Sequence, residues 1–253
     1  MPSLTQKLAN PTRFMELSGQ LMPWFSGLAA VLLACGLYLT FFVAPPDYQQ
    51  GETVKIMFVH VPSAWLAMAA YGLIGLSSFG LLVFRHPLAD VAAKAAAPIG
   101  AAFTLLALIT GALWGRPMWG AYWVWDARLT SVLILFFLYI GLIALRSSLE
   151  DEALAGRLTA VLGLAGLAIL PVIRFSVDWW NTLHQPASVF RLSGPAIHSS
   201  ILLPLLVMAA GFTALFVALL LKAMRNEILR RRVKALTIVE VERAGRLEPR
   251  IAE

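Results

Sequence analysis

Charge is what this sequence has least of. Only 13% of its 253 residues are Asp, Glu, Lys or Arg, and 59% are hydrophobic, whereas a soluble domain carries about 25% charged residues. That balance excludes an ordinary water-soluble globule and makes the lipid bilayer the solvent of most of the chain. Cysteine is nearly missing as well. Cys35 is the single one, which excludes an internal disulfide and a C-x-x-C redox pair; its place inside an apolar run reads as packing. Acidic residues number 14 against 20 Lys and Arg. No H-E-x-x-H or comparable spacing occurs among them, so a zinc site, which needs three or four closely held ligands, has no basis here. The formal charge of +6 forms no basic stripe outside the C-terminal tail. It reads as charge facing anionic lipid at a cytoplasmic surface, not as a nucleic-acid footprint.

What is abundant is long apolar sequence. Six runs cover about 22–44, 56–84, 95–115, 129–146, 158–176 and 196–222. Crossing roughly 30 Å of hydrocarbon takes about 20 helical residues, and a backbone in lipid must satisfy its own amides. The runs are too long for barrel strands, so the spacing predicts an all-α integral membrane protein, a bundle of six transmembrane helices. The first run is too long for a signal-peptide core and lacks a convincing A-x-A site, so it reads as a true span. Prolines 62, 98, 171 and 204 suggest kinks. The organisation expected is a cytoplasmic segment 1–21, a membrane domain 22–222 and a charged cytoplasmic tail 223–253 that begins as a helical extension.

With six spans both termini share a side. That side collects Lys7, Arg13, Arg85, Lys94, Arg146, Arg157 and the basic residues of the tail, against Lys55, Arg116, Arg128, Arg174 and Arg191 opposite. The tail decides the count, and both termini are read as cytoplasmic. The first, third and fifth connections then meet on the outer face. They carry "VHVPSAW", "WGRPMWGAYWVWDARLT" and "DWWNTLHQ".

The third connection holds four of the chain's eight tryptophans. An aromatic belt at headgroup level accounts for Trp24, and for Trp179 and Trp180, at the ends of spans. It accounts poorly for Trp119, Trp123 and Trp125, which sit inside a connection. If that connection is helical, 119 and 123 share a face with Tyr122 and Trp125 beside it. A wide apolar plate at the surface marks a binding site.

Of four histidines, His60 and His184 fall at one depth on the same outer face, flanked by aromatics. Taken singly, each is more often an interface or core histidine than a ligand. His86 lies in a cytoplasmic turn and His198 starts the last span, a weaker candidate for the outer pocket. Haem iron needs only two axial protein ligands, because porphyrin fills the other four positions. Its flat apolar ring suits indole faces. Its propionates suit Arg, and Arg128, Arg116, Lys55 and Arg191 are all candidates to meet them.

At these residues the chain resembles a known family. "WGRPMWGAYWVWDARLT" is similar to the tryptophan-rich WWD signature of haem-handling membrane proteins, matching at Trp119, Gly120, Trp123, Trp125 and Asp126. "VAPPDYQQG", "HVPSAW", "APIGAAFTLLALITGALWGRPMWG" and "WWNTLHQ" resemble the haem exporter protein C family (CcmC, or HelC), over about residues 11–222. The resemblance implies a role in cytochrome c maturation at the bacterial inner membrane, with transiently bound haem b held on the periplasmic side. It implies presentation of that haem to the chaperone CcmE, beside CcmD and the ABC-transporter components CcmA and CcmB. It carries axial ligation of the haem iron onto His60 and His184. The WWD loop 114–128, with Trp114, Trp119, Trp123, Trp125, Asp126 and Arg128, becomes the haem platform between the third and fourth spans. His86 and His198 match no ligand position.

Three other functions compete. A cytochrome b-type electron carrier buries its histidines within facing helices, often as two pairs, and a haem content near two per chain would favour it. A permease that itself exports haem should show charged groups at midplane or broken helices lining a path, whereas these runs are nearly free of charge at their centres. An enzyme needs a nucleophile–base arrangement, and none stands out. The expectation is a holder and presenter with no catalytic residue of its own.

Overall fold

The structure, a computed structural model, describes residues 10–185, 188–189, 191 and 193–247. Six helical segments are long and apolar enough to cross a membrane: Pro11–Val43, Glu52–Phe84, Pro87–Trp119, Ala127–Ser147, Glu152–Trp179 and Ser199–Arg243. The described residues include no β-strand.

The first span is α1 (Pro11–Tyr38), continued at its end by a π-turn, Leu39–Val43. It starts well before the apolar run. Asn10 caps it, its side chain accepting from the Thr12 amide at 2.9 Å, and Pro11 takes the first-turn position where its missing N–H costs nothing. After a short 3-10 turn, Glu52–Ile56, comes α2 (Met57–Phe84), then α3 (Pro87–Trp119). These two form an antiparallel hairpin at the centre of the bundle. The fourth span is α4 (Ala127–Ser147).

The fifth span is two helices, α5 (Glu152–Gly166) and α6 (Ile169–Trp179). Pro171 supplies the reason: it has no N–H to give the Leu167 carbonyl, which instead takes the Leu170 amide at 3.1 Å. Pro62, Pro98 and Pro204 lie inside helices that continue through them. The last helix, α7 (Ser199–Leu247), has 49 residues and is about 74 Å long at 1.5 Å per residue. It is far longer than a bilayer requires, so the charged stretch after Leu221 continues as helix.

Helices approach closely where small residues let them. At Gly100 the backbone of α3 lies against the Tyr139 ring of α4, with no room for a Cβ. The Tyr139 hydroxyl, itself buried, donates to the Ala67 carbonyl of α2 at 2.7 Å. Cys35 is not a packing residue. It lies on the outward face of α1, a helix buried along one narrow stripe only.

Polar contacts lock one end of the bundle. Asp90 of α3 accepts a two-pronged pair from Arg146 of α4, at 2.5 and 2.6 Å, and a further bond from Arg231 of α7. Arg225 reaches from α7 to the Met15 carbonyl and Ser18 of α1. The start of α1 and the charged extension of α7 therefore meet at the same end. His60, the tryptophan-rich segment and the α6–α7 connection lie at the other.

Candidate functional site

His60 sits one turn into α2. Its Nδ1 lies 3.0 Å from the Ala107 carbonyl and 3.1 Å from the Thr110 hydroxyl oxygen on α3. The Thr110 proton is committed to the Leu106 carbonyl at 2.6 Å. Both neighbours of Nδ1 are thus acceptors, so Nδ1 carries the hydrogen and Nε2 keeps its lone pair. Across the site, His184 lies in the connection after α6, turned by a Thr182 hydroxyl that accepts its amide at 2.8 Å. Its Nδ1 faces the Asp126 carboxylate at 3.5 Å, which fixes the same tautomer and leaves Nε2 open. Burial lowers the His184 pKa, and the Asp126 carboxylate opposes that shift only in part. The balance favours the neutral ring, the form in which an imidazole can bind a metal.

Asp126 does two things at once. Its Oδ1 accepts the Leu129 amide at 2.8 Å as the N-cap of α4, and its Oδ2 faces His184. A carboxylate at a helix start is favoured by the dipole and the free amides there. The residue that begins α4 therefore also aims the imidazole.

The indoles take up the rest. Trp114 and Trp119 belong to α3, which runs to Trp119 and stops at Gly120, with φ 77°. Left-handed backbone of that kind suits glycine and ends the helix. Residues 120–126 are not helical, so 119 and 123 do not share a helix face; a bend brings them together. Trp114 donates Nε1–H to Gln50 Oε1 at 2.9 Å. The Trp114 ring meets Trp119 edge-on at 5.1 Å, and Trp119 meets the His184 imidazole at 5.1 Å. The Trp123 Nε1 is buried with no partner among the described residues.

His60, His184, Trp114, Trp119 and Trp123 all line one cavity of about 400 Å³, within the roughly 300–1,000 Å³ usual for ligand sites. Its walls are mostly apolar, from Met57, Val61, Leu108 and Val132. Two sequence candidates are outside the wall. Trp125 is 76% exposed and touches the site only edge-on through Trp123, at 5.5 Å. Asp126 acts from behind His184. His198 begins α7 through its carbonyl, and its ring pairs with Ser200 at 2.9 Å. His86 lies at the opposite end, in the turn between α2 and α3.

The cations that line the cavity, among the described residues, are Arg128 and Arg174. Arg128 Nε donates to Ser176 Oγ at 2.9 Å. Arg116 is turned back onto the Gly120 carbonyl and the Tyr122 ring, and Lys55 pairs with Glu52 at 2.8 Å. Arg174 entered the sequence reading only as a charge on the outer side. Its position inside an apolar span, near Trp179, was the available signal, since an ionisable residue there points to function.

The described residues hold no group of three or more His, Cys, Asp or Glu that could bind a bare metal ion. What the cavity wall does bring together is two imidazoles, several indoles and two guanidiniums in a mostly apolar lining.

Residues 4–239 match the family described as Heme exporter protein C. The chain is 63% identical over 236 residues to the Heme exporter protein C of Bradyrhizobium diazoefficiens, covering 93% of this chain and 89% of that one. It is 46% identical over 224 residues to the protein of the same name from Escherichia coli K12, covering 88% and 90%. A putative cytochrome c biosynthesis ccmC-like mitochondrial protein of Marchantia polymorpha is 45% identical over 205 residues, covering 81% and 87%. A match across nearly all of the membrane domain and most of the extension leaves one assignment: this chain belongs to the haem exporter protein C family.

Proposed function

We propose that the chain holds haem b in the His60–His184 cavity and presents it for covalent attachment to the chaperone CcmE during cytochrome c maturation. The observation that carries the reading is the pair of imidazoles, His60 and His184, each with Nδ1 set against an acceptor. They come from a helix and from a distant connection and line one indole-walled cavity, with neither Nε2 bonded among the described residues. His60 and His184 are the axial ligands. Their Nδ1 partners, the Ala107 carbonyl and the Asp126 carboxylate, orient the rings, as outer partners of metal-bound histidines do. Trp114, Trp119 and Trp123 cover the macrocycle, and Arg128 and Arg174 meet the propionates.

In this reading the cavity faces the periplasm and both termini are cytoplasmic, in the inner membrane. The WWD segment stands at the lipid boundary, where a periplasmic partner can reach a vinyl edge. CcmA, CcmB and CcmD complete a delivery complex. The chain positions its cargo and contributes no nucleophile. A single imidazole pair at one end of the bundle favours a holder over a two-haem electron carrier.

Absorption spectra of the chain, purified with and without CcmE, test this. His60→Ala and His184→Ala should each abolish a low-spin haem spectrum, and His86→Ala should leave it intact. An unchanged spectrum in either of the first two variants refutes the ligand pair.

A further inference from the structure

A second cavity, of about 760 Å³, lies at the end of the bundle away from the histidines. Its walls come from α2, α3, α4, α5 and α7. Along α2 they run inward from Leu81 to Ile74, about 10 Å at 1.5 Å per residue. The deep part is apolar, lined by Ile74, Ala97, Leu142 and Ile143. The outer part is ionic, with Lys94, Arg230 and Lys234 at its wall. Polarity is thus graded along the direction in which a lipid lies, from headgroup to hydrocarbon.

The ionic part carries surplus positive charge. Three carboxylates, Asp90, Glu152 and Glu227, are bound to five cations, the above three with Arg146 and Arg231. Glu150, exposed at the mouth, lowers the surplus from two to one. Donors remain to be used. Lys94 spends one N–H on Glu227 and Lys234 one on Glu152. Arg230 bonds Glu152 and Glu227 through Nε and Nη2 only. Deeper in, the Ser78 hydroxyl is 1% exposed, has no protein partner and borders the cavity. A buried polar group left alone costs free energy, so a ligand oxygen there would be stabilising.

We propose that this cavity is a binding site for an anionic glycerophospholipid, with its phosphate at Lys94, Arg230 and Lys234 and an acyl chain along Ile74, Ala97 and Ile143. Basic pockets between transmembrane helices suit phosphate headgroups. A free phosphate has no use for the apolar floor, and a lipid of no net charge leaves the surplus positive charge unmatched. The bound lipid bridges α3 and α5 to the extension of α7.

The test uses the full chain in neutral detergent. Its thermal midpoint is followed as phosphatidylglycerol, phosphatidylcholine or inorganic phosphate is added. Phosphatidylglycerol should raise the midpoint saturably, and the other two should not. Lys94→Gln with Lys234→Gln should weaken that response about thirtyfold, roughly fivefold for each lysine near an anionic headgroup. Ala93→Trp, which fills the cavity from a half-buried position, should remove the response and leave the haem spectrum unchanged; that spectrum reports folding in every variant. An equal response to phosphatidylcholine or to phosphate alone overturns the proposal, as does a full response in Ala93→Trp. A photo-crosslinking residue at Leu149, in native membranes, should give an adduct of phospholipid mass; a polypeptide adduct assigns the cavity to a protein partner and overturns it.

Discussion

Asp90 and Asp126 sit at opposite ends of the same bundle and are used in opposite ways. Asp90 is gripped by Arg146 and Arg231, its side chain 11% exposed, with every contact ionic and closed. Asp126 touches one helix amide and one imidazole 3.5 Å away, and the wall it supports is indole. Around Asp90, charge joins α3, α4 and α7, and the carboxylate is saturated with partners. The Asp126 end is held by aromatic edges and leaves an indole N–H and two imidazole nitrogens without a partner among the described residues. Asp90 itself stays shut and leaves any ligand contact at its end to Lys94, Arg230 and Lys234, whereas Asp126 supports the cavity wall through an imidazole. That division follows from chemistry: a paired buried charge has nothing left to offer a ligand, whereas a half-satisfied polar group does.

The largest effect should come from breaking the closed pair. Asp90→Ala leaves the Arg146 guanidinium, 9% exposed, without its counter-charge. Removing one partner of a buried pair costs about 3–5 kcal/mol. The loss should appear as a marked fall in thermal midpoint, with the spectrum of any haem that remains bound unaltered in shape. A changed spectrum in Asp90→Ala would show that the two ends are coupled. At the open end, Asp126→Asn should do the reverse. Asparagine caps a helix about as well as aspartate, so stability should hold, while the imidazole loses its anionic partner. Loss of such an outer partner costs about 10–100-fold in affinity for the metal group, which haem titration measures. Equal affinity in Asp126→Asn would mean that the carboxylate serves only the helix cap.

The spans and the histidine pair were legible in the sequence for one reason. Long apolar runs and the even count of crossings constrain which connections meet, and both are visible in composition. Where helices begin and end outside lipid was not legible. Hydropathy cannot see the start of α1, which is set by the Asn10–Pro11 cap, nor how far α7 continues, where Glu227 pairs with Arg230 and Arg231 at helical spacing. The tryptophans looked like one plate, because a helical wheel places 119 beside 123. Gly120 ends α3 between them, and only the three-dimensional path shows that Trp123 turns inward while Trp125 turns out. Arg174 was hidden by lying within a span, and Thr110 by being an ordinary threonine until His60 is seen against it.

Trp125 is therefore where the comparison can be sharpened most finely. It shares the signature with Trp119 and Trp123, yet it lies outside the cavity wall and meets Trp123 only edge-on. Such a ring pair contributes about 0.5–1.5 kcal/mol, and part of that survives through the remaining indoles. Trp125→Ala should weaken haem binding by no more than about tenfold on that scale. Trp119→Ala, which removes the ring packed against His184, should shift the spectrum and the affinity together. If the two variants lose haem alike, Trp125 reaches the porphyrin and the inward–outward division of the segment fails. If Trp125→Ala keeps its haem but no longer passes it to CcmE, the outward indole belongs to the encounter with the acceptor, and the two tryptophans divide holding from giving.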